Sequence, residues 1–143
     1  MQSSILAPAA VLILWSLIVL FWVVVTRFPA FKRAGIDAAN SEAGGRYQDV
    51  EAQLPPSVNW KSHNYTHLME QPTLFYAVIA VLALAGAGSE INVVLAWGYV
   101  GLRVLHSLWQ SMVNTIPVRI TLFTLSTLCL FGLAINAVRA TMF

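Results

Sequence analysis

Four apolar stretches, each long enough to cross about 30 Å of hydrocarbon as a helix, alternate with polar punctuation along the chain. The pattern predicts helices over about 5–26, 60–87, 91–114 and 118–140, with a hydrophilic loop over about 27–59. Gly35, the Gly44-Gly45 pair and Pro55-Pro56 break up that loop, a short turn around Gly88 separates the second and third helices, and Pro117 opens the fourth. Short connections make helices two and three, and then three and four, antiparallel neighbours. The fold class expected is all-α: an integral membrane four-helix bundle forming one domain.

The polar positions inside these stretches fall into two stripes. On helix two, His63, His67 and Glu70 are spaced four and three apart and share a face; on helix three, Tyr99, Arg103, His106 and Gln110 do the same, and Asn114 extends the row. With the hairpin centred near Gly88, Glu70 and His106 both lie ~27 Å from that turn at 1.5 Å rise per residue. Arg103 is one turn deeper, and Arg119 opens helix four at the same level. Glu70, His67, Arg103, His106 and Arg119 are therefore expected to converge on one shallow layer. Pro72 cannot donate to the carbonyl of Leu68 and is expected to kink helix two beside Glu70.

Charges inside a bilayer cost roughly 2.5–3.5 kcal/mol each and persist when paired, wet or in use. An Arg103–Glu70 pair that locks the hairpin accounts for two of these groups. A cavity for a polar, mostly anionic ligand accounts for all of them.

Composition agrees with the pattern. Hydrophobic residues make up 58% and charged residues 10% of the 143-residue chain, far from the roughly 25% charge of soluble domains. A net charge of +2 with no basic, aromatic-interleaved patch argues against nucleic acid. The first apolar run lacks a basic leader and exceeds the length of a signal-peptide core, so it reads as a retained span. Arg27, Lys32, Arg33, Arg46, Lys61 and Arg119 fall on one side and Arg139 on the other, which predicts cytoplasmic loops one and three with both termini outside. Cys129 is the only cysteine and reads as a packing residue.

Other chemistries fit less well. His63 and His67 lack the intervening glutamate of a metalloprotease helix, and two arginines are poor neighbours for zinc, so no metal is expected. The run Asn64-Tyr65-Thr66 matches a glycosylation sequon but falls on the cytoplasmic side. The five tryptophans read as interface anchors or lipid-facing bulk.

The runs His67-Leu68-Met69-Glu70-Gln71-Pro72-Thr73-Leu74-Phe75-Tyr76, Arg103-Val104-Leu105-His106 and Pro117-Val118-Arg119 resemble the MAPEG family, the membrane-associated proteins in eicosanoid and glutathione metabolism. The resemblance implies a homotrimer, here of a bacterial inner-membrane type, with glutathione between subunits near the cytoplasmic face. It implies that Glu70 meets the glutathione ammonium, that Arg103 and His106 join it, that Arg119 faces the thiol as the catalytic residue, and that Arg27 matches a basic residue at the end of helix one. His63, His67 and Gln110 complete the expected binding set, and each departs from the family pattern: His67 replaces an asparagine, His63 an arginine and Gln110 a tyrosine. Ile120 stands where a serine occurs in one catalytic branch of the family, and Phe123 where a tyrosine is common. The activity implied is a glutathione-dependent transferase or peroxidase acting on a hydrophobic electrophile or lipid hydroperoxide. The alternative is a non-enzymatic scaffold, lipid-binding protein or accessory subunit of a membrane complex.

Overall fold

The structure, a computed structural model, describes residues 2–143. Four helical spans long and apolar enough to cross a membrane account for most of the described residues, so the protein is a multi-pass, all-α integral membrane protein. In chain order the elements are α1 (Gln2–Ala34), the short α2 (Tyr47–Val50) with a 3₁₀ turn over Glu51–Gln53, α3 (Pro56–Met69), α4 (Gln71–Leu84), α5 (Glu90–Met112) and α6 (Ile116–Met142). The second span consists of α3 and α4, consecutive in sequence and interrupted only at Glu70.

Two boundaries differ from the hydropathy pattern. α1 continues eight residues past Thr26, through Pro29, because Arg27, Lys32 and Arg33 are good helix formers once the chain has left hydrocarbon. The second span opens four residues earlier than Trp60, with Pro56 in its first turn, where the missing N–H is not needed. At the far end Gly86, at φ +68°, closes the turn: the Ala87 N–H reaches back to the Leu82 carbonyl at 2.9 Å, a reversal that glycine makes without steric penalty.

α5 is the central helix. It packs along α6 and against α1 and α3. Its inward face carries Ala96, Tyr99, Val100, Arg103, His106, Ser107, Gln110 and Ser111, all buried. Aliphatic and aromatic side chains of the other spans close around it, among them Ile5, Leu12, Val19, Leu68, Phe75, Ile79 and Leu133. Large apolar residues on α1 and α6, such as Leu14, Phe21, Leu128 and Phe131, stay exposed, as a lipid-facing surface requires.

Lipid tails are as apolar as leucine, so packing and interhelical hydrogen bonds must hold such helices together. Asn64, fully buried on α3, donates to Ser107 Oγ at 2.7 Å and Ser111 Oγ at 3.0 Å on α5, and the Trp15 indole of α1 donates to the same Ser107 Oγ at 3.0 Å. Trp15 is thus a link between helices rather than an interface anchor, and the sequon at Asn64 is sealed inside the bundle. Near the opposite end, Asn136 on α6 donates to Asn92 Oδ1 at 2.6 Å, and Asn92 donates to the Ala87 carbonyl at 2.9 Å, tying α6, α5 and the turn together.

Replacing Asn64 with alanine removes two interhelical hydrogen bonds and leaves a void, an expected loss of about 1–2 kcal/mol. Thermal unfolding in detergent should show this as a clear drop in midpoint. Asn40→Ala, in the exposed loop, should leave the midpoint within about 0.5 kcal/mol of the parent.

Candidate functional site

The site begins with a missing N–H. Pro72 cannot supply the hydrogen bond that would continue the helix past Leu68, and at Glu70 the backbone leaves helical geometry (φ −86°, ψ −97°). The interruption leaves the His67 carbonyl with only a long bond, 3.4 Å, from the Glu70 N–H. Arg103 Nη2 donates to that carbonyl at 2.9 Å. The kink expected from Pro72 therefore frees an acceptor for a buried guanidinium.

Arg103 is 1% exposed, and its Nε and Nη1 have no hydrogen-bond partner. The Arg103–Glu70 ion pair that would lock the hairpin does not form among the described residues. Two buried donors of a fixed fork are thus left without a hydrogen-bond acceptor.

Around them lies a cavity of about 500 Å³ lined by His67, Glu70, Gln71, Arg103, His106, Ile116, Arg119, Ile120 and Phe123. The five ionisable groups expected at one depth all line it. The rings of His67 and His106 stack at 6.0 Å between centroids and 14° between planes, and the Arg103 guanidinium lies 5.7 Å from the Phe123 ring. Arg119 is aimed by the α5–α6 turn. Asn114 sits there at φ +61°, a conformation asparagine tolerates better than most residues, and its N–H closes on the Trp109 carbonyl at 2.8 Å. Its side-chain Oδ1 accepts from Arg119 Nη1 at 2.8 Å, while Arg119 Nε remains buried without a partner.

The other expected residues separate from this group. Arg27 and His63 line a neighbouring hollow of about 400 Å³ with Tyr47, Glu51 and Ser62. His67 and Glu70 line both spaces, so the two adjoin across that pair. Arg27 Nη2 donates to Ser62 Oγ at 2.6 Å and its guanidinium stacks 3.9 Å from the centre of the Tyr47 ring, while His63 contacts the Glu51 carboxylate. Gln110 lies beside His67 but lines neither space; it is 1% exposed, and its Oε1 has no partner.

Several lining residues are not apparent from the sequence pattern. Tyr47 and Glu51 belong to a stretch that reads only as loop, yet the Tyr47 hydroxyl bonds to Asn59, Asn59 donates to the Glu51 carbonyl at 2.9 Å, and Tyr47 stacks on Phe31. The Arg46/Asp49 capping pair is the one local hint of a helical turn there. Gln71, next to Glu70, donates to Thr127 at 2.9 Å and accepts from the Tyr99 hydroxyl at 3.3 Å, which joins the cavity floor to α5 and α6. Among the described residues no cluster of His, Cys, Asp or Glu could hold a metal ion.

The arrangement presents two guanidinium groups and two imidazoles opposite one carboxylate, with an apolar wall of Ile116, Ile120 and Phe123 beside Arg119. Such a cavity suits a zwitterionic ligand with more carboxylates than ammonium groups. A model of the MAPEG family matches residues 5–139 of the chain. Comparison with curated proteins and with solved structures finds no match.

Asn114 has two separable tasks, and two variants part them. Asn114→Gly keeps the left-handed turn and should preserve stability within a few tenths of a kcal/mol, whereas Asn114→Ala should lose about 1 kcal/mol of stability. Both remove the acceptor for Arg119 and should weaken anion binding in the cavity alike, as titration with a carboxylate ligand would measure.

Proposed function

The chain belongs to the MAPEG family, and from that premise we propose that it is a glutathione-dependent transferase or peroxidase acting on a hydrophobic electrophile or lipid hydroperoxide. The observation that carries this reading is the set of buried, unpartnered guanidinium donors, Arg103 Nε and Nη1 and Arg119 Nε, around a cavity whose one acid is Glu70. Glutathione has two carboxylates, one ammonium and one thiol. Arginine forks suit the carboxylates and Glu70 suits the ammonium. His67 and His106, stacked on each other, line the cavity beside the peptide, and Arg27 and His63 serve a terminal carboxylate from the adjoining hollow. Gln110 acts behind His67, keeping its ring in place.

Arg119 is the catalytic residue in this proposal. The nucleophile is a thiolate, and a thiol of pKa about 8.5 ionises more readily beside a cation. Arg119 stands at the start of α6, whose dipole acts in the same sense. In conjugation, the thiol proton passes to solvent, the sulfur forms a bond to the electrophilic carbon, and the leaving group departs with the electron pair. With a hydroperoxide, two glutathione molecules are oxidised to one disulfide as the peroxide is reduced to alcohol and water. Ile116, Ile120 and Phe123 offer the apolar side from which the second substrate arrives.

Assembly and orientation follow the same reading: a homotrimer in a bacterial inner membrane, with loops one and three cytoplasmic and both termini outside. Exposure of Glu70 in the single chain leaves room for a neighbouring subunit to complete the site. The competing reading, a non-enzymatic lipid-binding scaffold or accessory subunit, draws on the absence of any hydroxyl on Ile120 and Phe123 beside Arg119.

Purified protein titrated with glutathione should bind saturably and develop thiolate absorbance near pH 7. Arg119→Ala should abolish that absorbance and reduce conjugation of a model electrophile by roughly 10²-fold or more while glutathione still binds. Glu70→Gln should instead weaken binding about tenfold or more. No binding at millimolar glutathione would leave the scaffold reading in possession. Unchanged conjugation in Arg119→Ala would remove the catalytic role.

A further inference from the structure

Nearer the start of α3 than the polar cavity, the C-terminal end of α1 and the first turns of α3 border a hollow of about 530 Å³. Thr26, Pro29 and Arg33 line it from α1, and Ser57, Val58 and Lys61 from α3. It shares no lining residue with either space of the glutathione site. Two cations face it, and no described acidic side chain does. Arg33 is exposed and makes no ion pair among the described residues. The Lys61 ammonium donates to the Ser57 carbonyl at 2.8 Å and lies 5.2 Å from the Trp22 ring, and neither contact supplies it with a negative charge. Like charges held around one space repel unless an anion bridges them.

Depth identifies the anion. Lys61 lies 23 residues ahead of Leu84, the end of the same span, and at 1.5 Å rise this is ~35 Å, beyond the roughly 30 Å of hydrocarbon and therefore at headgroup level. The apolar run of α1 ends at Val25, beside Thr26, and gives the same level on the other wall. Beside the cations the lining carries the apolar Val25, Pro29, Ala30 and Val58, and Val25 is also part of the exposed, lipid-facing surface of α1 to which Phe21 belongs. A soluble anion uses only the charged part of such a site; a phospholipid uses the apolar part as well, with its phosphate between Arg33 and Lys61 and its acyl chains along α1. Basic pockets between transmembrane helices are a recurring way to hold anionic headgroups.

We infer that the hollow between the end of α1 and the start of α3 binds the phosphate of an anionic membrane phospholipid. The bound lipid bridges Arg33 and Lys61 and pins α1 to α3, the helix that carries His67 and leads into Glu70. This site stands independently of any glutathione chemistry.

The test uses the full chain in neutral detergent, titrated with phosphatidylglycerol, phosphatidylcholine or inorganic phosphate. Melting temperature is followed, and retained lipid is counted by native mass spectrometry, a readout that does not depend on stability. Phosphatidylglycerol should raise the midpoint saturably and remain bound; phosphatidylcholine and inorganic phosphate at matched phosphate concentration should do neither. Arg33→Gln and Lys61→Gln should each weaken phosphatidylglycerol binding about fivefold, Arg33→Lys should largely retain it, and Lys32→Gln and Arg46→Gln, outside the hollow, should leave it unchanged. Inorganic phosphate matching the lipid would mean a free-anion site. Equal losses in the Lys32 and Arg46 variants would mean diffuse surface attraction, and unchanged binding in the Arg33 and Lys61 variants would mean a different location. Each of these results overturns the inference.

Discussion

A guanidinium almost wholly withheld from solvent, inside a bundle whose outer surface faces lipid, sets the terms for everything around it. Arg103 cannot shed its charge by deprotonation at any ordinary pH, so the protein must supply acceptors. It supplies one by breaking a helix: Pro72 interrupts the second span, Glu70 leaves helical geometry, and the His67 carbonyl is offered to Arg103. One acceptor is not enough for a group with five donors. The donors left over have no acceptor within the protein, and Arg103 lines a cavity together with Arg119, His67, His106 and Glu70. Helix break, buried charge and cavity are three views of a single constraint.

The rest of the bundle is organised so that this arrangement can be held in lipid. Without a hydrophobic force between helices, directional contacts decide which faces meet. Asn64 with Ser107, Ser111 and Trp15 fixes α3 and α1 on α5 near the cavity, and Asn92 with Asn136 fixes α6 on α5 at the far end. The stacked Phe75 and Tyr99 rings, 4.3 Å apart, and the Tyr99–Gln71–Thr127 chain continue the same function across the middle. Most of these contacts join helices that contribute side chains to the cavity, so local packing and site geometry are coupled.

Charge is distributed by depth as well as by face. Arg103 and His106 lie within the span, Arg119 at the first turn of α6, and Arg27, Arg33 and Lys61 where α1 and α3 emerge from the apolar region. The inner group faces a space with one carboxylate and suits a zwitterionic peptide, as proposed for glutathione. The outer pair, Arg33 and Lys61, faces a space without one and suits a lipid phosphate. α3 carries residues of both, Ser57, Val58 and Lys61 on one hollow and His67 on the cavity, so the two proposed sites share one helix.

Much of this was legible along the chain, because each legible feature is one-dimensional. Apolar runs report spans, since every backbone group in lipid must bond within its own helix. Spacings of three and four report a shared helical face, and counting residues from the turn reports depth, which is why Glu70, His67, Arg103, His106 and Arg119 could be assigned to one layer. The first residue past each span was harder: α1 runs on to Ala34 because helix formation outlasts hydropathy. What the chain order alone could not reveal depended on rotation and on segments folding back. Gln110 shares the stripe with Arg103 and His106, but it lies buried beside His67 and outside the cavity lining. Tyr47 and Glu51 reach Arg27 and His63 only because Asn59 draws their segment onto α3. Asn64 and Trp15 look like a sequon and an interface anchor until α5 places serines opposite them. Sequence determined which groups lie at which depth, because rise per residue is constant; tertiary structure decided which of them face one another, because that depends on how helices rotate and cross.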